Sequence, residues 1–321
     1  MASTYSSVSS FASPSSGSGA KYFLIENKTT GQQYRVNTES FASGAFSSVH
    51  KGIKWHENKK SRDKSEEIYA VKRFQRGDFL AKDLPMLTDD IRATMSAHEI
   101  KEFEQTRAMN EQKLLEQPLR ECFAVKKLHG HPYFLTFVDA CYAPDYVFLV
   151  TELARGGDLQ RRFDNMTRPF TEETLIPMVR TICDAIKTMH SDGIVHRDLK
   201  PLNILFRSKT NDDLIVADFG LSNFLEERGF FTTDCGTQMY KAPEQSQGQQ
   251  YGSPVDMWAL GKMCYHLLTR EIPNESERPL FWEGFSPEAR DFMQRLIVQN
   301  PQERMTAEQA RAHPWLSLKE I

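Results

Sequence analysis

The 321-residue chain contains no apolar run approaching the roughly 20 residues that a membrane-spanning helix needs, so no spanning helix is expected. Its first residues hold neither the basic cluster nor the apolar core of a secretory signal. Cysteine is sparse. Cys122, Cys141, Cys183, Cys235 and Cys264 are scattered, odd in number and without paired metal-ligand spacing. That pattern argues against a disulfide framework and a cysteine zinc site, and suggests reduced thiols filling small buried spaces. An excess of one charge is missing too: 40 Lys and Arg face 43 Asp and Glu, a formal net charge of -3, so composition suggests no nucleic-acid partner and no attraction to an anionic membrane. Together these absences suggest a soluble protein of the cytoplasm or nucleus. What remains, at 40% hydrophobic residues, can bury one large core or two adjoining lobes.

The densest chemistry lies in His196-Arg197-Asp198-Leu199-Lys200-Pro201-Leu202-Asn203, followed by Asp218-Phe219-Gly220. Moving a terminal phosphoryl group requires carboxylate and amide oxygens for a metal, and a carboxylate facing the acceptor hydroxyl. Asn203 and Asp218 suit the metal and Asp198 suits the hydroxyl. The runs Ile194-Val195, Ile204-Leu205-Phe206 and Leu214-Ile215-Val216-Ala217 read as short buried strands, so the polar residues fall on loops between them.

These motifs resemble the catalytic and metal loops of eukaryotic serine/threonine protein kinases, and His313-Pro314-Trp315-Leu316 is similar to the closing turn of the calcium/calmodulin-dependent group. The resemblance covers Tyr22 to Leu316. It implies an α+β, bilobal fold at residues 21–317: a small antiparallel-sheet N-lobe at about 21–150 and a larger, mainly helical C-lobe at about 155–317. Residues 1–20, rich in Ser, Ala and Gly, read as a disordered tail. The implied activity is transfer of the γ-phosphoryl group of ATP to protein hydroxyls with Mg2+, with protein substrates and an upstream activating kinase as partners.

Residue by residue, Phe41, Ala42, Gly44 and Val49 stand where the family carries its phosphate loop, but only Gly44 remains of three glycines, with Ala42 and Ser47 in the other positions. Ala70-Val71-Lys72 occupies the Val-Ala-Ile-Lys position, which implies that Lys72 binds phosphates and pairs with a carboxylate on a helix. Glu121 is the favoured partner because Val125 and Leu128 continue an apolar helical stripe ending at Gly130-His131-Pro132; Glu111 and Glu116 are the alternatives. That choice implies a charged insertion at about 75–118, read as a solvated, partly helical loop in preference to a docking element.

Tyr146 to Val150 reads as an apolar strand entering a hinge, where the resemblance implies adenine contacts from Thr151, Glu152 and Ala154, with Asp158 and Leu205 completing the nucleotide site. Thr171 to His190 has the capping and spacing of a long buried helix. Lys200 and Thr237 together imply serine or threonine acceptors. Arg197 beside Asp198 implies a phosphate-operated activation segment, with Thr233 the first candidate site and Thr232 the second. Asp256 is expected to brace the catalytic loop, and Arg304 to pair with Glu244.

Two departures bear on substrates. The chain between Leu268 and Ser286 is short for the family, and Leu202 replaces the glutamate found before Asn203 in kinases that favour basic peptides. No calcium-binding loop or calmodulin-type helix is read up to Ile321. The rival readings are a pseudokinase scaffold, against which Lys72, Asp198, Asn203 and Asp218 all argue, and a small-molecule kinase, against which Ala242-Pro243-Glu244 and the Asp256-to-Gly261 motif argue.

Overall fold

A computed structural model describes residues 21–44, 47–55, 67–75, 100, 118–143, 145–225, 230–231, 235–246, 249–273 and 283–317. The expected tail at 1–20, most of the insertion at 75–118, Glu111, Glu116, Thr232 and Thr233 lie outside these residues. Contacts divide the chain into two units, one of residues 1–122 and 136–153, the other of 123–135 and 154–321.

Six antiparallel strands form the sheet of the first unit: β1 (Tyr22–Asn27), β2 (Gln32–Ser43), β3 (Ser47–Trp55), β4 (Ile68–Gln75), β5 (Phe137–Tyr142) and β6 (Tyr146–Glu152). Their order is β1-β2-β3-β4-β6-β5, with β1 also packing on β5 so that the sheet curls upon itself. Strand β5 carries too weak an alternation to stand out in the sequence. Alternation sends Tyr34 and Val36 of β2, Tyr69 and Val71 of β4, and Phe148 and Val150 of β6 into one core with Ile25 and Cys141. The curl is fastened by Asp139, which accepts hydrogen bonds from the Asn27 amide and, at 2.9 Å, from the Tyr34 hydroxyl. Burial, then this carboxylate, pushes the Tyr34 phenol far above its ordinary range. Residues 118–127 form helix α1, with Glu121, Val125 and the following Leu128 buried, as the apolar stripe implied.

The second unit is mainly helical. Helix α2 (Leu159–Asp164) is capped by Asp158, and α3 (Glu172–Ser191) begins with a capping box in which Thr171 and Thr174 satisfy each other's backbone donors. Leu175, Val179, Ile182, Ile186 and Met189 bury one face of α3. Two short pairings follow: β7 (Ile194–Val195) pairs with β10 (Asn223–Phe224), and β8 (Ile204–Phe206) with β9 (Leu214–Val216). Helices α4 (Pro243–Ser246), α5 (Pro254–Thr269), α6 (Pro287–Leu296), α7 (Ala307–Arg311) and α8 (Pro314–Ser317) complete it. From Val255 to Leu268 every residue of α5 is buried, the mark of a central core helix. Gly261 is required there, since a Cβ would come within 2.7 Å of the Leu296 side chain on α6.

Trp315 is fully buried, as expected for a core residue, and its indole donates to Glu172 at 2.9 Å. The same carboxylate accepts from the amide and hydroxyl of Ser286, the cap of α6. Between α5 and α6, residues 274–282 lie outside the described residues, and with them most of the region expected to be short. Four of the five thiols are buried and Cys235 is half-buried; burial pushes the Cys122 thiol up to about 12. Among the described residues no helix is long and apolar enough to cross a membrane.

Candidate active site

In the first unit the strand register decides which side chains share a face. Val49 lies opposite Lys72, Ala42 opposite Val49, Lys72 opposite Leu149 and Ala70 opposite Thr151. Residues directly opposed across antiparallel strands point the same way, as do residues two apart on one strand. Ala42, Val49, Ala70, Lys72 and Thr151 therefore line one face, while Val71 and Val150 turn into the core. Phe41 precedes a register shift at Ala42 and is half exposed, at 51%. Gly44 adopts no left-handed angle, and a Cβ there would meet only the Ser47 hydroxyl at 3.6 Å. The protein's own packing gives no reason for glycine at this position.

Lys72 donates to both carboxylate oxygens of Glu121, at 2.8 and 3.0 Å. Glu121 is 2% exposed and pairs with Lys72, while the alternatives Glu111 and Glu116 lie outside the described residues. At the end of β6 the Glu152 N–H donates to the Thr136 carbonyl at 3.0 Å, and the Thr151 hydroxyl donates to the Glu152 carbonyl at 3.1 Å.

In the second unit Ala154 is half-buried and precedes a turn laced to β8: Gly156 donates to the Phe206 carbonyl at 2.8 Å, Phe206 to the Gly157 carbonyl at 2.9 Å, and Asp158 bridges to Leu205. The β8–β9 register places Ile204 opposite Val216, so the residues just outside the ribbon are Asn203 on one strand and Ala217-Asp218 on the other. The Ala217 N–H donates to the Asn203 carbonyl at 2.8 Å, closing that end. Asp218 holds a left-handed backbone, φ 61°, unusual for a residue with a Cβ. Phe219 is buried against Phe134 and His196, and the His196 ring bonds the Ala217 carbonyl at 3.0 Å.

Asp198 is the hub of this half. One of its oxygens accepts from the Thr237 amide and hydroxyl, both at 2.7 Å; the other accepts from the Lys200 ammonium at 2.7 Å. Lys200 also donates to the Thr237 hydroxyl at 2.6 Å. The Asn203 amide nitrogen donates to the Asp198 carbonyl at 2.8 Å, which fixes the side of the amide that carries its oxygen. The approach of Gly236 is tight: its φ is 98°, and a Cβ would lie 2.6 Å from the Arg197 carbonyl.

Beneath the loop, Asp256 accepts from the amides of His196 and Arg197, each at 2.9 Å, and from His190 at 2.8 Å. These bonds hold Arg197 at φ 67°. Burial alone would raise the Asp256 carboxyl, but the His190 hydrogen bond and the charges of His190 and His196 hold it below the usual carboxylate range. A depressed folded pKa gives stability that is complete above the unfolded value of about 3.9 and is lost as pH falls through the folded value. Asp256→Asn is therefore expected to be less stable than wild type at pH 7, with the gap in urea midpoints narrowing as pH falls below about 4.

A sequence profile described as protein kinase domain matches residues 90–316. The chain belongs to the protein kinase family. It is similar to the calcium/calmodulin-dependent protein kinase cmkB of Emericella nidulans, 41% identical over 210 residues, which cover 59% of this chain and 51% of that protein. It is likewise 41% identical over 212 residues to the calcium/calmodulin-dependent protein kinase type I of Schizosaccharomyces pombe, covering 60% of this chain and 62% of the relative. The type 1 enzyme of Caenorhabditis elegans is 34% identical over 221 residues, covering 63% and 62%. This kinase chain thus spans between about half and two thirds of these relatives' lengths.

The family match starts at residue 90, beyond β4, whereas the motifs carry the resemblance from Tyr22. Sequence reasoning missed three supporting groups. His190 is a further partner of Asp256, Tyr251 accepts from Arg197 at 3.3 Å, and Phe134 packs on Phe219. None belongs to a motif; each acts through a fold-dependent contact that spacing does not encode.

Proposed function

We propose that this chain is an active serine/threonine protein kinase that transfers the γ-phosphoryl group of ATP to protein hydroxyls. The observation that carries the reading is the Asp198 cluster, in which a carboxylate, an ammonium and a threonine hydroxyl converge beside Asn203. Asp198 orients the acceptor hydroxyl and takes its proton. Lys200 offsets the charge on the transferring group, and its bond to Thr237 supports serine and threonine acceptors. A pseudokinase would have no use for this set, and the folded arrangement favours no scaffold reading.

On the first unit, Lys72, oriented by Glu121, binds the nucleotide phosphates. Ala42, Gly44, Val49, Ala70 and Thr151 give the nucleotide a lined face, with Phe41 beside it and Gly44 leaving open the space a Cβ would fill. The Glu152 N–H is engaged with Thr136, so its carbonyl, which accepts from the Thr151 hydroxyl and keeps a second lone pair, is the group assigned to adenine on this unit. On the second unit, the resemblance assigns nucleotide contacts to Ala154, Asp158 and Leu205. Asn203 and Asp218 would hold Mg2+: their oxygens are hard donors, and the fixed amide of Asn203 presents the right atom. When bound, the ion neutralises charge on the phosphate oxygens.

Regulation by phosphorylation of Thr233, with Thr232 as second site, is part of the reading. The Arg197 guanidinium lies over the ring of Phe231, two residues before Thr233, and an upstream kinase would supply the modification. The named relatives' calcium/calmodulin dependence is not extended to this chain.

Glu121→Gln is expected to raise the KM for ATP and lower kcat, each by about tenfold, because Lys72 loses the charge that orients it; steady-state kinetics at varied ATP checks this. The reading as a whole is tested by phosphoamino-acid analysis of a random peptide pool labelled from γ-labelled ATP. Phosphoserine and phosphothreonine are expected. Predominant phosphotyrosine, or label only in small molecules, would overturn it.

A further inference from the structure

Two exposed side chains on the loops that hold the acceptor base are large and apolar. Leu202 is 53% exposed on the turn Pro201–Asn203, between Lys200 and Asn203, both of which bond Asp198. Met239, 48% exposed, comes two residues after Thr237, which bonds Asp198 through both amide and hydroxyl. Both side chains thus stand exposed within two residues of a group that bonds the base, on the two loops that hold it. Single exposed leucines are common on protein surfaces. Here two of the exposed large apolar side chains among the described residues lie within two residues of one that bonds the same carboxylate.

The charges beside Leu202 point the same way. Helix α2 packs against the turn that carries it. That helix bears Arg161, which is exposed, and Arg162, which stacks over the Phe206 ring at 3.7 Å and pairs with Asp212. Its carboxylates are engaged locally: Asp158 accepts from the Arg161 N–H at 2.7 Å to cap the helix, and Asp164 accepts from Gln160 at 2.8 Å. An approaching arginine would thus meet a leucine and the exposed Arg161 where a glutamate before Asn203 would have paired with it.

We infer that the acceptor site selects serine or threonine in a segment with apolar neighbours, with Leu202 as the residue that sets this preference. The inference rests on the kinase reading above and adds its substrate class. Desolvating Leu202 against an apolar neighbour favours such a segment, and the unpaired substrate charge penalises a basic one.

The test uses the 321-residue chain and two peptide pools with the same central serine or threonine, one flanked by Leu, Ile, Met and Phe, the other by arginine. Wild type is expected to show kcat/KM about tenfold higher on the apolar pool, the size of effect one apolar side chain gives in a specificity pocket. Leu202→Glu should remove or invert that ratio through KM, with little change in kcat, while Leu202→Met should keep it. Because Leu202 is half exposed, an unchanged thermal melt is expected for both variants. A wild-type preference for the arginine pool, or a ratio that Leu202→Glu leaves unmoved, would overturn the inference while the kinase reading stands. No transfer to either pool above the Asp198→Asn level would overturn both.

Discussion

Asp198→Asn is expected to lower kcat for peptide phosphorylation by about three orders of magnitude, within the range that loss of a positioned general base produces. The geometry says why a nearly isosteric change should be so costly. The remaining carbonyl oxygen can still accept from Thr237, but the new amide nitrogen must face the Lys200 ammonium, 2.7 Å from the oxygen it replaces. Two donors then oppose each other, and the group that took the hydroxyl proton is neutral. Because Lys72 and Glu121 are untouched, the KM for ATP should change little, so the loss falls on kcat and kcat/KM alike. Quench-flow or steady-state assays with labelled ATP measure this directly.

The second large effect is on stability. Arg304 is fully buried and donates to both oxygens of Glu244, at 2.7 and 3.1 Å, to the Pro254 carbonyl at 2.8 Å and to the Val298 carbonyl at 2.9 Å. It also lies over the Trp258 ring. Removing one partner of such a pair leaves a buried charge uncompensated, which costs about 3–5 kcal/mol. Against a total stability on the order of 5–15 kcal/mol, Glu244→Ala should shift the unfolding midpoint strongly. The pair itself need not be strongly stabilising, since its own desolvation cost is high. Replacing both residues with apolar ones, Glu244→Leu with Arg304→Met, should therefore recover much of the loss. Urea unfolding followed by tryptophan emission, to which buried Trp258 and Trp315 contribute, compares the three proteins.

Much of the site was legible because phosphoryl transfer needs particular residue types at short spacings. Asp198, Lys200 and Asn203 lie within six residues, and a single ribbon, β8–β9, brings Asp218 to them. Glu121 was legible for a different reason. The burial stripe through Val125 and Leu128 identified its helix even though 49 residues separate it from Lys72. Strand β5 was not legible, since its burial depends on β1 curling back through Asn27 and Asp139, a contact more than 100 residues apart. The same holds for His190 on Asp256 and Tyr251 on Arg197: the partners are ordinary residues made specific by the fold. Leu202 stood out in the sequence as a departure, but its meaning depended on its exposure and on the arginines of the helix packed beside it.

The measurement closest to the central claim is transfer of label from γ-labelled ATP, with magnesium, to serine and threonine in a peptide pool, run side by side for wild type and Asp198→Asn. The account predicts phosphoserine and phosphothreonine from wild type and about a thousandfold less from the variant. Equal incorporation by the two proteins, or none by wild type, would contradict it.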